Sequence, residues 1–238
     1  MALAHSPKVV TDNLFLHLDP ANPKSYPGSG TAWHDLSKNR YEATLQSGAT
    51  ISNNAANLEY STLVYEGGND YVSINDYSVA ALPAPLTYQC WFNFKSDGRD
   101  SAQQTMCLMG PAGTSPTGGG MSLAILNDER LWGLFYDSDQ SQVQLRNTSG
   151  EILQPDTWYM ATMLCDGTSV KQYLNTELYH SVSASGYSPY TTQNFTIGLN
   201  RIYYHFGGQM SDIKIYSKAL TESEIEQNFN ALRGRFGI

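Results

Sequence analysis

The chain has 238 residues, a net charge of −8, 41% hydrophobic residues and only 15% charged ones. That acidity, without any run of Lys and Arg, argues against a nucleic-acid surface, because phosphate contacts need clustered positive charge. No apolar stretch is long enough to span a bilayer.

The length suits one large domain, and many Gly, Tyr, Ser, Thr and Asn point to a β-rich, turn-rich chain. Cys90, Cys107 and Cys165 are widely spaced and form no CxxC pair. They are expected as free buried thiols, without a zinc site. The opening MALAHSPKVV carries no secretory pattern, so synthesis in a reducing cytoplasm is expected.

Residues 1–12 read as an N-terminal arm, and residues 13–238 as the domain. NLFLHLD alternates Leu14, Leu16 and Leu18 with Phe15 and His17. LTYQCWFNF follows Pro83 and Pro85 as a strongly β-prone run. MSLAILND and RLWGLFYD flank a turn at Asn127-Asp128. WYMATMLC sets Trp158, Met160, Thr162 and Leu164 against Tyr159, Ala161, Met163 and Cys165. Asp166-Gly167 and Asn175-Thr176 then turn the chain into VKQYL and ELYHSV, and NFTIGL and GQMSDIKIY complete the strands. Many short strands with turn signals between them predict a sandwich or barrel.

One helix is predicted near the end. Thr221 and Glu224 form a capping box, Leu220 and Ile225 a hydrophobic staple, and Ile225, Phe229 and Leu232 an apolar stripe. Gly234 is the expected stop. GPAGTSPTGGG, residues 110–120, reads either as a surface connection or as a rim loop beside a ligand.

Four segments resemble a known family. LFLHLDPANPKSYPGSGTAWHDLSKN resembles the opening of laminin G-like domains of the concanavalin A-like lectin/glucanase superfamily. LVYEGGNDYVSI resembles their FDGTNDYV segment, and WYMATMLCDGTSVKQYLNTE their hairpin. GGQMSDIKIYSKALTESEIEQNFNALRGRFGI resembles their closing strand and helix. Glu66 departs from the common Asp, and Asn175-Thr176 from the common Asn-Gly. The stretches NPKSYPGSGT and NALRGRFGI are also similar to variants found in tailed phages, especially those of cyanobacteria.

The resemblance implies an all-β fold, a two-sheet antiparallel jelly-roll sandwich with a short C-terminal helix. It implies a non-enzymatic virion structural, decoration or fibre component that binds glycans at a surface. A dedicated carbohydrate-binding lectin module is the alternative, and a glycoside hydrolase comes third. The implied partners are other virion proteins or a second copy of the chain, together with cell-surface glycans, and neither nucleic acid nor membrane. The implied location is the virion surface after synthesis in the host cytoplasm.

Chemistry is sparse. Glycosidases need two carboxylates across the sugar bond, and in the family's glucanase branch they share one strand, a pattern missing from this sequence. No GxSxG or HExxH occurs, and His17 reads as a packed or hydrogen-bonded residue.

Asn69 and Asp70 have two readings, a turn or oxygen donors to calcium, which related jelly rolls often hold at the rim. The family often has an acid at Asp212, which joins the metal reading, with Asp19 as a third candidate. By alternation Asp212 stands instead on an exposed strand face or pairs with Lys214. For sugar binding, Tyr203, Tyr204 and His205 form the densest aromatic patch, whereas Trp132 and Tyr136 share a face with Leu134 and are expected in the core.

Overall fold

The alternating segments pair into two antiparallel sheets stacked face to face. The computed structural model describes residues 7–52, 54–58, 70–96, 105–112, 120–139, 141–189, 193–200 and 204–238. In chain order the first strands are β1 (Leu14–Leu18), β2 (Ala32–His34), β3 (Glu42–Gln46), β4 (Thr50–Ser52), β5 (Ala55–Leu58) and β6 (Tyr71–Ile74). A short helix α1 (Tyr77–Ala80) leads to β7 (Leu86–Phe94), β8 (Thr105–Pro111), β9 (Met121–Leu126), β10 (Leu131–Tyr136) and β11 (Gln142–Arg146). Then come β12 (Tyr159–Cys165), β13 (Ser169–Leu174), β14 (Glu177–Ser183), β15 (Phe195–Ile197), β16 (Leu199–Asn200), β17 (Tyr204–His205) and β18 (Gly208–Tyr216). Helix α2 (Glu222–Leu232) and a 3-10 turn (Arg233–Phe236) close the chain.

The first sheet runs β14-β13-β12-β7-β18-β5-β4, with β1 beside the later half of β18. The second runs β11-β10-β9-β8-β15-β6-β3-β2, and β16 and β17 form a separate two-stranded ribbon. This is the two-sheet sandwich with a short C-terminal helix that the family resemblance implies, and one of the two architectures that the patterning allows.

Strand β12 shows how the sequence builds both sides of the first sheet. Tyr159, Ala161, Met163 and Cys165 face the interior between the sheets, with Tyr88, Phe92 and Phe135. Met160 and Leu164 face outward, into a second apolar cluster under α2 that holds Trp91, Leu220 and Ile225. Each such side chain contributes about 1.5–3 kcal/mol when fully buried. All three cysteines are buried and free, as expected.

Helix α2 starts as predicted. The Thr221 hydroxyl accepts from the Glu224 amide at 3.3 Å, and the Glu224 carboxylate accepts from the Thr221 amide at 3.0 Å. The end differs: the chain continues through the 3-10 turn, and Gly237, not Gly234, takes the left-handed conformation at φ 74°. The extra turn lets Phe236 stack on Trp91 at 4.2 Å between ring centres, while Phe229 stacks on Trp91 at 5.4 Å. The arm docks here too, with Val10 buried in the same cluster.

Two of the register shifts among the described strands break the alternation read from the sequence. A register shift between Leu14 and Leu16 sends Leu14 to the outer cluster, while Phe15 packs against the interior one. A second shift lies between Ser211 and Lys214, where Asp212 adopts φ 49°. The inserted residue moves Met210 onto the same inner face as Ile213 and Ile215. The exposed-face reading of Asp212 is therefore corrected: Asp212 is 1% exposed and pairs with Lys214.

Candidate functional site

The outward face of the second sheet is set by its inward one. On β10, Leu131 and Phe135 belong to the interior core. A Cβ built on Gly133 would lie 2.8 Å from Gln172 Nε2 and 2.9 Å from Met163 Cε, both on the opposing sheet. Trp132, Leu134 and Tyr136 must then point out, because successive strand residues alternate. None of the three belongs to either apolar cluster. The core reading of Trp132 is thus corrected: its ring is half-buried on an outer face. Leu134 and Tyr136 are buried, as expected, although they belong to neither apolar cluster.

Among the described residues, strand β11 ends the sheet and pairs only with β10. Gln142, Gln144 and Arg146 lie opposite Tyr136, Leu134 and Trp132, and all three are exposed. The β9–β10 turn carries Asp128, which accepts from Arg146 Nη2 at 3.3 Å and lies 3.5 Å from Arg130 Nη1. Arg130 Nε also donates to the Gly150 carbonyl at 3.2 Å. The arrangement offers an aromatic face beside amide and guanidinium donors and a carboxylate acceptor. That combination covers apolar C–H surface while satisfying hydroxyls.

Of the aromatic patch expected at Tyr203, Tyr204 and His205, the last two residues form β17 of the ribbon. Tyr203 lies outside the described residues, as does the Tyr204 side chain. His205 is buried, at 4% exposed. On the outer face the Thr196 hydroxyl donates to the Leu199 carbonyl, which bends the chain towards the ribbon.

Of the residues read as metal donors, Asp19 and Asp212 come together and Asp70 does not join them. Asn69 lies outside the described residues. Asp70 is buried just before β6 of the second sheet, where a Cβ on Gly48 would come within 2.8 Å of its Oδ1. Asp212 belongs to β18 of the first sheet and joins a polar layer beneath the C-terminal segment.

That layer is one register row. His17, Lys214, Gln89 and Thr162 face each other in turn across β1, β18, β7 and β12. His17 Nε2 donates to Asp212 Oδ1 at 2.9 Å, and Lys214 Nζ donates to Asp212 Oδ2. Arg235 grips Asp19 through Nη1 at 2.7 Å and Nη2 at 3.2 Å. Burial pushes His17 down to about 3, helped by the Lys214 charge, so the imidazole is neutral. Burial alone would raise Asp19, but the Arg235 bonds and charge hold it below its ordinary value. Burial draws the Lys214 ammonium down.

One donor atom from each of His17, Asp19 and Asp212 lies within 4.8 Å of the other two. Calcium takes six to eight oxygens. This cluster supplies a ring nitrogen and two carboxylates already held by Lys214 and Arg235, so its donor set does not fit calcium. The sequence marks two of its members, Asp19 and Asp212, as metal candidates, whereas His17 reads there as a packed or hydrogen-bonded residue.

A laminin G-type family model, described as the concanavalin A-like lectin/glucanases superfamily, matches residues 66–226, about two thirds of the chain. The chain belongs to this superfamily. A comparison with curated proteins finds no match. Among solved structures, the binding domain of botulinum neurotoxin DC in complex with SialylT superposes with a TM-score of 0.69 at 15% identity, over 93% of this chain and 52% of that one. The ligand binding domain of botulinum neurotoxin serotype D in complex with N-acetylneuraminic acid gives 0.65 at 18% identity, over 92% and 51%. The serotype D binding domain gives 0.65 at 18%, again over 92% and 51%. These likenesses establish a common fold, and the chain spans about half the length of those structures.

Members of this superfamily that cut sugars would need a paired carboxylate in a cleft. Among the described residues the acidic strand positions are Glu42, Glu177 and Asp212, each on a different strand. Asp19 and Asp212 do approach one another, but both are buried and bonded to cations. A sugar has no room between them.

Proposed function

We propose that this lectin/glucanase-superfamily domain is a non-enzymatic glycan-binding module. Its ligand face is the outer side of the second sheet around β10 and β11. The observation that carries the reading is Trp132, a large aromatic ring held outside the core, opposite Arg146 and near exposed Gln144. The lack of two acids on any described strand supports binding without hydrolysis. Two similar folds are described as complexes with SialylT and with N-acetylneuraminic acid, which supports sugar binding as a role of this fold class without fixing the sugar. The phage-like opening and closing segments favour display on a virion surface, where repeated copies turn weak sites into strong attachment.

A glycan array followed by isothermal titration tests the reading. Wild type is expected to bind at least one sugar, and Trp132→Ala to bind it at least about tenfold more weakly with an unchanged melting temperature. Unaltered affinity in the variant, or no sugar bound by wild type, would remove the assignment.

A further inference from the structure

Resting on that reading, we infer that the ligand is an uncharged oligosaccharide chain lying along β11, rather than one terminal sugar or an acidic polymer. Gln142, Gln144 and Arg146 are alternate residues of a strand at the sheet's end, all exposed on the same outer face. Alternate strand residues repeat every ~7 Å, so this row extends about 14 Å. That length accommodates successive sugar rings. Trp132 stands across from Arg146 at one end, giving the chain one stacking platform and a run of polar contacts beyond it.

The chemistry of the row favours hydroxyls. Each Gln amide both donates and accepts, as a sugar hydroxyl does. Gln142 donates from Nε2 to the Tyr136 hydroxyl at 3.3 Å.

The charges oppose an acidic ligand. Arg146 and Arg130 share the Asp128 carboxylate. Arg130 also donates to the Gly150 carbonyl, so both guanidinium groups are already bonded within the protein. The whole chain carries −8, which repels polyanions at long range.

The test is titration with cello-, manno- and galacto-oligosaccharides of increasing length, beside oligogalacturonates of matched length. For the best neutral series, affinity is expected to rise at least about tenfold from monosaccharide to the longest chain. The matched oligogalacturonate is expected to bind at least about tenfold more weakly than that chain. Gln142→Ala and Gln144→Ala should each lower affinity for the longest chain by a larger factor than affinity for the monosaccharide. Equal affinity for monosaccharide and chain, or preference for the oligogalacturonate, overturns the inference and leaves glycan binding standing. Absence of binding to every sugar on a wider array overturns both.

Discussion

The Asn228 amide, on helix α2, donates to Gln89 Oε1 on β7 at 2.9 Å. The same amide group reaches the Tyr216 hydroxyl at 2.9 Å, and its oxygen accepts from the Val10 backbone at 2.7 Å. One fully buried side chain therefore ties the N-terminal arm, the helix and two strands together. Buried polar groups stripped of a partner bear the full cost of desolvation. Asn228→Ala is expected to lower stability by about 2–4 kcal/mol. Urea unfolding checks this: the midpoint should fall with the slope preserved. A shift smaller than a quarter of that range would mean that water replaces the lost bonds without cost.

Acid should weaken the fold through His17. In the folded chain burial holds the imidazole neutral down to about 3, whereas its ordinary value is 6.5. Between those limits the unfolded chain binds the additional proton. Stability therefore falls as pH drops from 6.5 towards 3, by up to about 1.4 kcal/mol per pH unit. Asp19, held low chiefly against its burial by Arg235, adds loss in the same direction as pH falls through its folded value. His17→Gln should flatten the acid limb of a plot of melting temperature against pH, leaving the part due to Asp19. An identical limb in the variant would assign the sensitivity elsewhere.

The Arg235–Asp19 pair fastens the chain's end to the residue following β1. The guanidinium meets the carboxylate through two nitrogens, a geometry that ammonium cannot reproduce. Arg235→Gln is expected to cost about 1–3 kcal/mol, since the pair is only partly buried. Arg235→Lys should recover only part of that loss. Hydrogen exchange should speed up first in residues 229–238, before global unfolding. Uniform acceleration across both sheets would show instead that the end segment and the sandwich open as one unit.

The fold was legible wherever two-residue alternation stayed in phase. Strand β12 is the clearest case: all eight side chains from Trp158 to Cys165 divide between faces as their order predicts. Phase was lost at the bulges, because one inserted residue reverses every later assignment and many residue types tolerate the insertion. Asp212 was misplaced for that reason, although Asp is one of the residues that enters the left-handed region more readily. The polar row of His17, Lys214, Gln89 and Thr162 was hidden for a different reason. Its members are scattered along the chain, and only strand register makes them neighbours. Trp132 was misjudged because it shares a face with Leu134 and Tyr136, and that apolar face reads as the inner one. The deciding residue was Gly133, which has no side chain to register in an apolar pattern.

That last point gives a paired test of the face assignment. Gly133 points inward, and an added Cβ would press on Gln172 Nε2 at 2.8 Å and on Met163 Cε at 2.9 Å and Sδ at 3.0 Å. All of these belong to flexible side chains, so a methyl group should be accommodated at a cost of about 1–3 kcal/mol by overpacking. Gly133→Val should cost more than Gly133→Ala. Trp132→Ala removes a much larger group, yet should change stability by less than about 1 kcal/mol, because the ring lies outside both apolar clusters. Urea denaturation of the three variants decides the matter. If Trp132→Ala proves as damaging as a core truncation, at about 3–5 kcal/mol, the ring is structural and the ligand face must lie elsewhere on the sandwich.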